Sequence, residues 1–172
     1  TEDGNSYSYI WNQGRYAVLG LLAMFVISTF DYHRFHQLAL PIFGISVFFL
    51  ALIPIFRAVG LSQLVPNQGD AYRWLQLGPL NFQPSEIAKF ALIVMFAHLI
   101  SRYSDKMDTF RYGVLPFALL LALVGGLIII ENHLSATLII LMLGAILMFV
   151  GGTKLRWFLI GGALLVALLA VM

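Results

Sequence analysis

The chain is dominated by apolar runs long enough to cross a lipid bilayer. A membrane-spanning helix needs about 20 apolar residues, and roughly 17 to 25 are tolerated. Six segments approach this length, with polar links between them: Ile10–Phe30, Leu38–Phe56, Ser85–Ile100, Val114–Ile130, Leu134–Val150 and Trp157–Met172. The sequence therefore predicts an all-α fold, a polytopic transmembrane helical bundle with about six spans.

The composition fits a membrane chain and excludes several other classes of protein. Hydrophobic residues make up 60% of the 172 residues and charged residues only 10%, whereas soluble domains contain nearer a quarter charged residues. We expect residues 1–172 to form a single integral membrane domain. The absence of cysteine excludes disulfides, thiolate catalysis and cysteine metal sites. The net charge of +2 is spread over the links, so it indicates membrane orientation and not binding to nucleic acid.

The basic residues of the polar links predict the orientation of the spans, because cytoplasmic links carry an excess of Lys and Arg. Alternate links form two sets, one with Arg34, Arg102, Lys106, Arg111, Lys154 and Arg156, the other with Arg15, Arg57 and Arg73. We expect the first, more basic set to be cytoplasmic. The outer side would then carry Thr1–Tyr9, the long loop Arg57–Pro84 and a tight turn at Glu131–His133.

Two charged residues, Glu86 and Lys89, stand one helical turn apart at the start of an otherwise apolar segment. A charged side chain at mid-membrane costs about 2.5 to 3.5 kcal/mol, so such residues usually face a protein interior or a wet cavity. Pro84 or Ser85 is expected to begin the helix, because proline is favoured in a first turn. The pair has two interpretations: a structural ion pair between helix neighbours, or direct contact with a ligand.

The outer loop and the outer turn hold the other candidates for ligand binding. Apolar residues of the loop recur too irregularly for a full helix, so we expect a partly buried interfacial stretch with Tyr72, Trp74 and Phe82 at headgroup depth. Arg73 would lie where a phosphate lies, which suits its planar guanidinium; the alternative is a lone arginine among lipid headgroups. For His133 the alternatives are phosphate binding or proton transfer, or only a hydrogen bond within the turn.

The spacing of possible ligands identifies no metal or cofactor site. His98 lies in an apolar segment, His33 and His36 lie on the opposite side, and no group reaches the ligand count of a metal site. No cofactor is therefore assigned, and the sequence leaves a divalent cation open. The pairs Gly125–Gly126 and Gly161–Gly162 are interpreted as points where spans pack closely.

Several motifs occur in the order in which one membrane protein family has them. They are Asp31-Tyr32-x-Arg34, Tyr72-Arg73-Trp74, Gly78-Pro79-Leu80, the run from Phe82 to Lys89, Glu131-Asn132-His133-Leu134-Ser135-Ala136-Thr137, Phe149-Val150-Gly151-Gly152 and Lys154-Leu155-Arg156. On these motifs the chain resembles the SEDS family (shape, elongation, division and sporulation), whose members include RodA, FtsW and SpoVE, over essentially its whole length. Asn132 replaces the proline and Ala136 the glycine of the family's outer motif, and both changes relax this turn.

The resemblance implies that the six segments are spans two to seven of a ten-span fold in the bacterial cell membrane. We expect the chain to be a piece of a larger polytopic protein, lacking the first span and everything after about span seven. It begins without Met and stops at Met172 inside an apolar run.

The resemblance further implies a peptidoglycan glycosyltransferase that polymerises lipid II, the undecaprenyl-linked precursor, in cell division or cell elongation. Its expected partners are a class B penicillin-binding protein and membrane lipids. The family's essential aspartate is attributed to an outer loop after span seven, so no catalytic residue is expected in this chain. Two other functions stay open: a lipid-linked precursor transporter (flippase), and a catalytically incomplete structural piece. The residues expected to bind substrate or line its cavity are Arg73, Gln83, Ser85, Glu86, Lys89 and His133.

Overall fold

Six long helices form most of the structure, at the positions that the apolar runs predict. The computed structural model describes residues 4–29, 31–61, 63–66, 72–77 and 80–171, with the backbone alone at residues 4–9, 12, 32, 77, 80 and 164–171. In chain order the elements are α1 Gly4–Ser28, α2 Tyr32–Val59, β1 Leu75–Leu77, β2 Leu80–Phe82, α3 Pro84–Arg102, a 3-10 turn Ser104–Lys106, α4 Phe110–Gly113, α5 Leu115–Ile130, α6 Leu134–Val150 and α7 Leu155–Val171.

Length and apolar composition identify three of the described helical stretches as candidate membrane spans. These are His33–Val59, Pro84–Arg102 and Phe110–Ile130, and Gln13–Ser28 and Leu134–Val150 are shorter apolar helices. The first of the three begins earlier than the predicted Leu38 because Asp31 caps it. The backbone N–H of His33 donates to Asp31 Oδ1 at 3.0 Å, and His33 Nδ1 lies 2.7 Å from the same oxygen.

The contacts within the chain divide it into two units, Thr1–Gln37 and Leu38–Met172. The first unit contains α1 and the start of α2, and every described side chain of α1 is exposed. The second unit contains the rest of α2 and all later elements. All of the predicted site residues, from Arg73 to His133, therefore belong to the second unit.

The core of the second unit is apolar and lies where α3, α5 and α6 pack together. Phe96 and Phe117 are fully buried at its centre, with ring centroids 4.8 Å apart and planes at 87°. Packing of this kind drives helix association in lipid, where exclusion of water does not act. The other buried members of the core are Phe43, Leu50, Ala88, Ala91, Leu92, Met107, Val124, Ile128, Ala136, Ile140 and Met148.

The glycines that allow close packing are not those that the sequence indicates. Among the described residues, Gly126, Gly161 and Gly162 have open space where a side chain would begin, and Gly125 has only an ordinary contact with Thr137. The expectation that these pairs mark close span packing is therefore not met. The close approaches lie elsewhere, at Gly113 against Met107, Gly144 against Leu121 and Gly151 against Ile100.

The last part of the long outer loop forms a β-hairpin, which the sequence did not predict. Strands β1 and β2 are antiparallel, with Leu75 opposite Phe82. Leu75 is fully buried in a second cluster with Ile53 and Val65, and Phe82 meets Phe49 edge to face with centroids 5.4 Å apart. The expected partial burial of this stretch is thus present, but it comes from packing on α2.

The polar links of the second unit gather in the two sets that the charge pattern predicts. At one end, the backbone N–H of Tyr72 donates to the carbonyl oxygen of Glu131 at 3.3 Å. At the other end, Lys154 Nζ donates to Asp108 Oδ2 at 2.8 Å. The long outer loop and the α5–α6 turn therefore share one end. That this end faces outward stays a prediction.

The turn between α5 and α6 depends on Asn132, which has a φ of +57°. Asparagine and glycine tolerate this left-handed conformation, whereas β-branched residues are strained in it. Proline cannot adopt it, because its ring holds φ near −65°. The turn therefore differs in shape from one built on the proline expected in the family motif.

We expect Asn132→Val to lower the free energy of unfolding by roughly 1 to 2 kcal/mol more than Asn132→Gly does, because only valine is strained at this φ. The measurement is the thermal unfolding midpoint of each purified variant in detergent. Equal midpoints for the two variants would contradict the left-handed conformation of Asn132.

Candidate ligand-binding site

Two separate segments meet at the outer-loop end of the second unit through specific hydrogen bonds. The Tyr72–Glu131 backbone bond joins the outer loop to the α5–α6 turn. Gln83 Nε2 donates to His133 Nδ1 at 3.2 Å, which joins the start of α3 to the start of α6. Gln83 is the N-cap residue of α3, yet its side chain makes no cap hydrogen bond. The side chain is instead used to connect the two helices.

The predicted ion pair forms within the first turns of α3. Lys89 Nζ donates to Glu86 Oε1 at 2.7 Å. The Lys89 side chain is 21% exposed and the Glu86 side chain 58%. Lys89 is therefore the more buried member of the pair, and Glu86 the more exposed one. This arrangement is more open than the buried pair expected from the sequence, because the first turn of α3 lies at the end of the unit.

His133 is a buried, neutral histidine. Burial lowers its pKa below the usual value, the positive charges of Arg73 and Lys89 lower it further, and Glu86 opposes them. At pH 7 the ring is therefore uncharged. A neutral His133 ring can form hydrogen bonds, but it cannot bind phosphate in the way that a protonated, cationic ring would.

Three residues of this region have buried polar atoms without a hydrogen-bond partner in the described part of the chain. The atoms are Arg73 Nε, Ser85 Oγ and both carboxyl oxygens of Glu131. Buried polar atoms are paired in the great majority of cases, because an unpaired one costs about 1 to 3 kcal/mol. Unpaired atoms concentrated in one region are consistent with a place where a ligand or water binds.

Glu131 is the member of this group that the sequence did not single out as a site residue. A carboxylate in a short polar turn is ordinarily solvated, but here only 1% of the residue is exposed. Burial raises the pKa of Glu131 to about 8. In this turn, outside the spans, the carboxyl is therefore mostly protonated at pH 7. The available sequence signal was a lone acid between two long apolar runs.

We expect the burial of Glu131 to make the protein less stable as the pH rises. The carboxyl has a pKa of 4.5 unperturbed and about 8 when folded. Between these values the folded protein binds more protons, so the free energy of unfolding decreases with pH. The total decrease is at most a few kcal/mol, at about 1.4 kcal/mol per pKa unit. Glu131→Gln should remove this decrease, measured as the unfolding midpoint between about pH 4.5 and 8.

His133 titrates in the opposite sense, because its pKa is lowered on folding and its contribution to stability grows as the pH rises. His133 is present in both proteins. The difference in pH dependence between the parent and Glu131→Gln therefore gives the contribution of Glu131 alone. A parallel pH dependence in the two proteins would show that Glu131 is not the cause.

The structure brings the six predicted site residues to one end of the second unit. The charges of Arg73, Glu86 and Lys89 all act on His133, and Gln83 contacts it directly. Ser85, in the first turn of α3, is fully buried. Within the described ranges, no group of three or more acidic or histidine side chains is placed to hold a metal ion.

The arrangement can bind an anionic ligand more readily than it can transfer protons. Two cations, Arg73 and Lys89, lie near a buried imidazole, and guanidinium and ammonium groups are the common partners of phosphate oxygens. Of the carboxyl groups at this end, Glu86 is paired with Lys89 and Glu131 is protonated. Glu86 is therefore already engaged, and Glu131 is mostly uncharged at pH 7.

Comparison with known proteins identifies relatives over the whole chain. Residues 1–172 match the FtsW/RodA/SpoVE family model, described as cell cycle protein. A probable peptidoglycan glycosyltransferase FtsW of Geobacter sp. (strain M18) is 32% identical over 155 residues, covering 90% of this chain and 41% of the relative. The protein of the same name from Geobacter sulfurreducens (strain DL-1 / KN400) is 32% identical over 165 residues, covering 96% and 43%. The chain thus spans about two fifths of the length of these relatives.

Two solved structures have the same fold over most of the chain. One is a peptidoglycan synthase complex, described for its structural coordination of polymerization and crosslinking, with a TM-score of 0.79, 28% identity, and coverage of 98% of this chain and 47% of that chain. The other is the rod shape determining protein RodA of Thermus thermophilus, with a TM-score of 0.70, 30% identity, and coverage of 92% and 49%. These matches confirm the predicted fold class, an all-α polytopic membrane bundle with about six spans.

Proposed function

The chain belongs to the FtsW/RodA/SpoVE family of cell cycle proteins, the SEDS family, and from this we propose that the full-length protein is a peptidoglycan glycosyltransferase that polymerises lipid II. Membership also makes it a multi-pass protein of the bacterial cell membrane, in agreement with its apolar helices. Two relatives are named probable peptidoglycan glycosyltransferases. The observation that carries the proposal is the approach of Arg73 and Lys89 to the buried Gln83–His133 contact at the outer-loop end.

The proposed chemistry assigns a role to five residues at this end. A sugar hydroxyl attacks the anomeric carbon of a second sugar, and a lipid pyrophosphate leaves. The reaction needs positive charge at the leaving group and a base for the hydroxyl proton. We propose that Arg73 and Lys89 hold the pyrophosphate, and that Gln83, Ser85 and His133 line the cavity as hydrogen-bonding groups. The base is proposed to lie outside this chain.

We propose a class B penicillin-binding protein as the partner, whose transpeptidase would crosslink the new strands. A similar solved structure is described as a complex that coordinates polymerization and crosslinking, which supports this choice. Membrane lipids and lipid II are the other proposed partners, and the process is cell division or cell elongation. That residues 1–172 form a single integral membrane domain also stays a prediction.

Polymerisation in detergent tests the proposal against the transporter alternative. Detergent micelles have no two sides, so a lipid-linked precursor transporter produces no product there. We expect purified full-length protein, with its partner, to convert lipid II into glycan strands detectable by gel electrophoresis. The 172-residue chain alone is the matched control. We expect it to make no glycan, because the proposed catalytic base lies outside it. Absence of glycan from the full-length protein with its partner would contradict the proposed function.

A charge swap tests the role of the ion pair in α3. We expect Glu86→Lys combined with Lys89→Glu to polymerise lipid II at least about tenfold more slowly than the parent. The swap preserves the pair but places a carboxylate at the inner position, because Lys89 is 21% exposed and Glu86 58%. The measurements are the glycan polymerisation rate and the unfolding midpoint. Rescue of an inactive Glu86→Lys variant by the swap would indicate a structural bridge alone.

A further inference from the structure

Glu131 is a buried carboxyl group that the proposed function does not use. Only 1% of the residue is exposed, and neither of its oxygens has a partner among the described residues. Its own carbonyl accepts the N–H of Tyr72 at 3.3 Å, so the outer loop is fastened against it. The side chain is therefore enclosed by the fold and has hydrogen-bonding capacity left over.

Ser85 and Arg73 supply further unpartnered atoms to the same region. Ser85 is fully buried with its Oγ unpaired in the described part of the chain, and Arg73 Nε is also buried and unpaired there. The Gln83–His133 hydrogen bond brings α3 and the α5–α6 turn together, and Ser85 and Glu131 each lie two residues along the chain from that contact. Three separate segments thus contribute spare hydrogen-bonding atoms.

The chemistry of these atoms suits an uncharged ligand group. The pKa of Glu131 is raised to about 8 by burial, so at pH 7 the carboxyl offers an O–H donor and a C=O acceptor. The Ser85 hydroxyl also donates and accepts. Hydroxyl and amide groups match such partners, whereas a phosphate is better matched by cations. The substrate of the proposed function has both kinds of group, because its pyrophosphate is charged and its sugars carry hydroxyls.

We propose that Ser85 and Glu131 form a subsite for a sugar hydroxyl or amide of the lipid-linked substrate, beside the cationic site for its pyrophosphate. This inference rests on the proposed function and deepens it. Arg73 and Lys89 recognise the pyrophosphate, which lipid II and free undecaprenyl pyrophosphate share. Ser85 and Glu131 distinguish the sugar-bearing substrate from the free lipid pyrophosphate, which is the product that must leave.

Two ligands that share a pyrophosphate and differ in the sugar test the subsite. Equilibrium binding of lipid II and of undecaprenyl pyrophosphate is measured for the purified full-length protein in detergent. We expect Glu131→Leu to raise the Kd for lipid II by about tenfold, the scale of losing hydrogen bonds to a buried group. The Kd for undecaprenyl pyrophosphate should change by less than about twofold. Continued binding of this ligand also shows that the variant is folded. Arg73→Ala should weaken the binding of both ligands.

Conservative variants keep the test decisive where Glu131→Leu fails to fold. Glu131→Gln retains a donor and an acceptor, so it should bind lipid II more tightly than Glu131→Leu but less tightly than the parent. Ser85→Ala should raise the Kd for lipid II about threefold without changing that for undecaprenyl pyrophosphate.

The outcomes separate this inference from the function on which it rests. The subsite would be overturned if Glu131→Gln and Ser85→Ala weakened the binding of both ligands equally or changed the binding of neither. The pyrophosphate site would then stay in place. Unchanged binding of both ligands would mean that Glu131 only contacts water. Failure of the parent to bind lipid II at all would overturn the proposed function, and this subsite with it.

Discussion

Arg73→Ala is expected to lower the rate of lipid II polymerisation by about 10²- to 10³-fold in the full-length protein, the usual effect of removing one preorganised donor from a developing negative charge. Arg73 is partly buried, its charge acts on His133, and its Nε has no partner among the described residues. The adjacent Tyr72–Glu131 hydrogen bond holds the loop in place. The backbone next to Arg73 is therefore anchored before the substrate binds. The measurement is the rate of glycan formation at saturating partner.

Two arginine variants make the comparison specific. Arg73→Lys keeps the charge but loses the planar fork, so an intermediate rate is expected. Arg57→Ala is the matched control, because Arg57 stacks on the Tyr72 ring at 4.4 Å and has no place in the proposed site. It should polymerise lipid II at close to the parental rate. A parental rate for Arg73→Ala, or an equal loss in Arg57→Ala, would contradict pyrophosphate binding by Arg73.

Gly113→Ala is expected to destabilise the protein by about 3 kcal/mol, near the upper end for overpacking a close contact. A Cβ at Gly113 would overlap the backbone carbonyl oxygen of Met107, which cannot rotate away as a side chain does. Gly113 is also held from both sides, because its N–H donates to Thr109 O at 2.8 Å and its carbonyl accepts from Thr153 Oγ at 3.1 Å. The expected result is a large fall in the unfolding midpoint.

Gly126→Ala is the matched control for Gly113→Ala. Among the described residues, nothing lies within 4 Å of the added Cβ at Gly126, and alanine within a helix is favoured over glycine by roughly 0.5 to 1 kcal/mol. Its midpoint should be equal to or above that of the parent. A midpoint for Gly113→Ala as high as that of Gly126→Ala would show that the Met107 contact does not constrain the fold.

Helix positions were predictable because the bilayer acts on each segment separately. The prediction for α6, Leu134–Val150, agrees with the structure at both ends, and α3 begins at Pro84 as expected. The Glu86–Lys89 pair was predictable for the same reason, since its spacing lies within one helix. The early start of α2 was missed because it follows from the cap at Asp31 and not from hydropathy.

Contacts between distant segments were not predictable in this way. The β-hairpin packs against α2, where Leu75 and Ile53 belong to the same buried cluster. The spacing of glycines did not identify Gly113, because Met107 reaches it through a turn of the connecting segment. Glu131 was predicted only as part of a polar outer turn, and the burial of its side chain was not predicted.

The sequence by itself determined the spans, the grouping of the links at two ends, the ion pair of α3 and the family, because each depends on local composition, helical spacing or an ordered set of motifs. Only the tertiary structure decided which polar groups the fold encloses. It buried Arg73 Nε, Ser85 Oγ and both carboxyl oxygens of Glu131 and left them unpaired in the described part of the chain, and it joined Gln83 to His133. The exposure of a polar atom depends on what packs against it from elsewhere in the chain, and no local pattern records that.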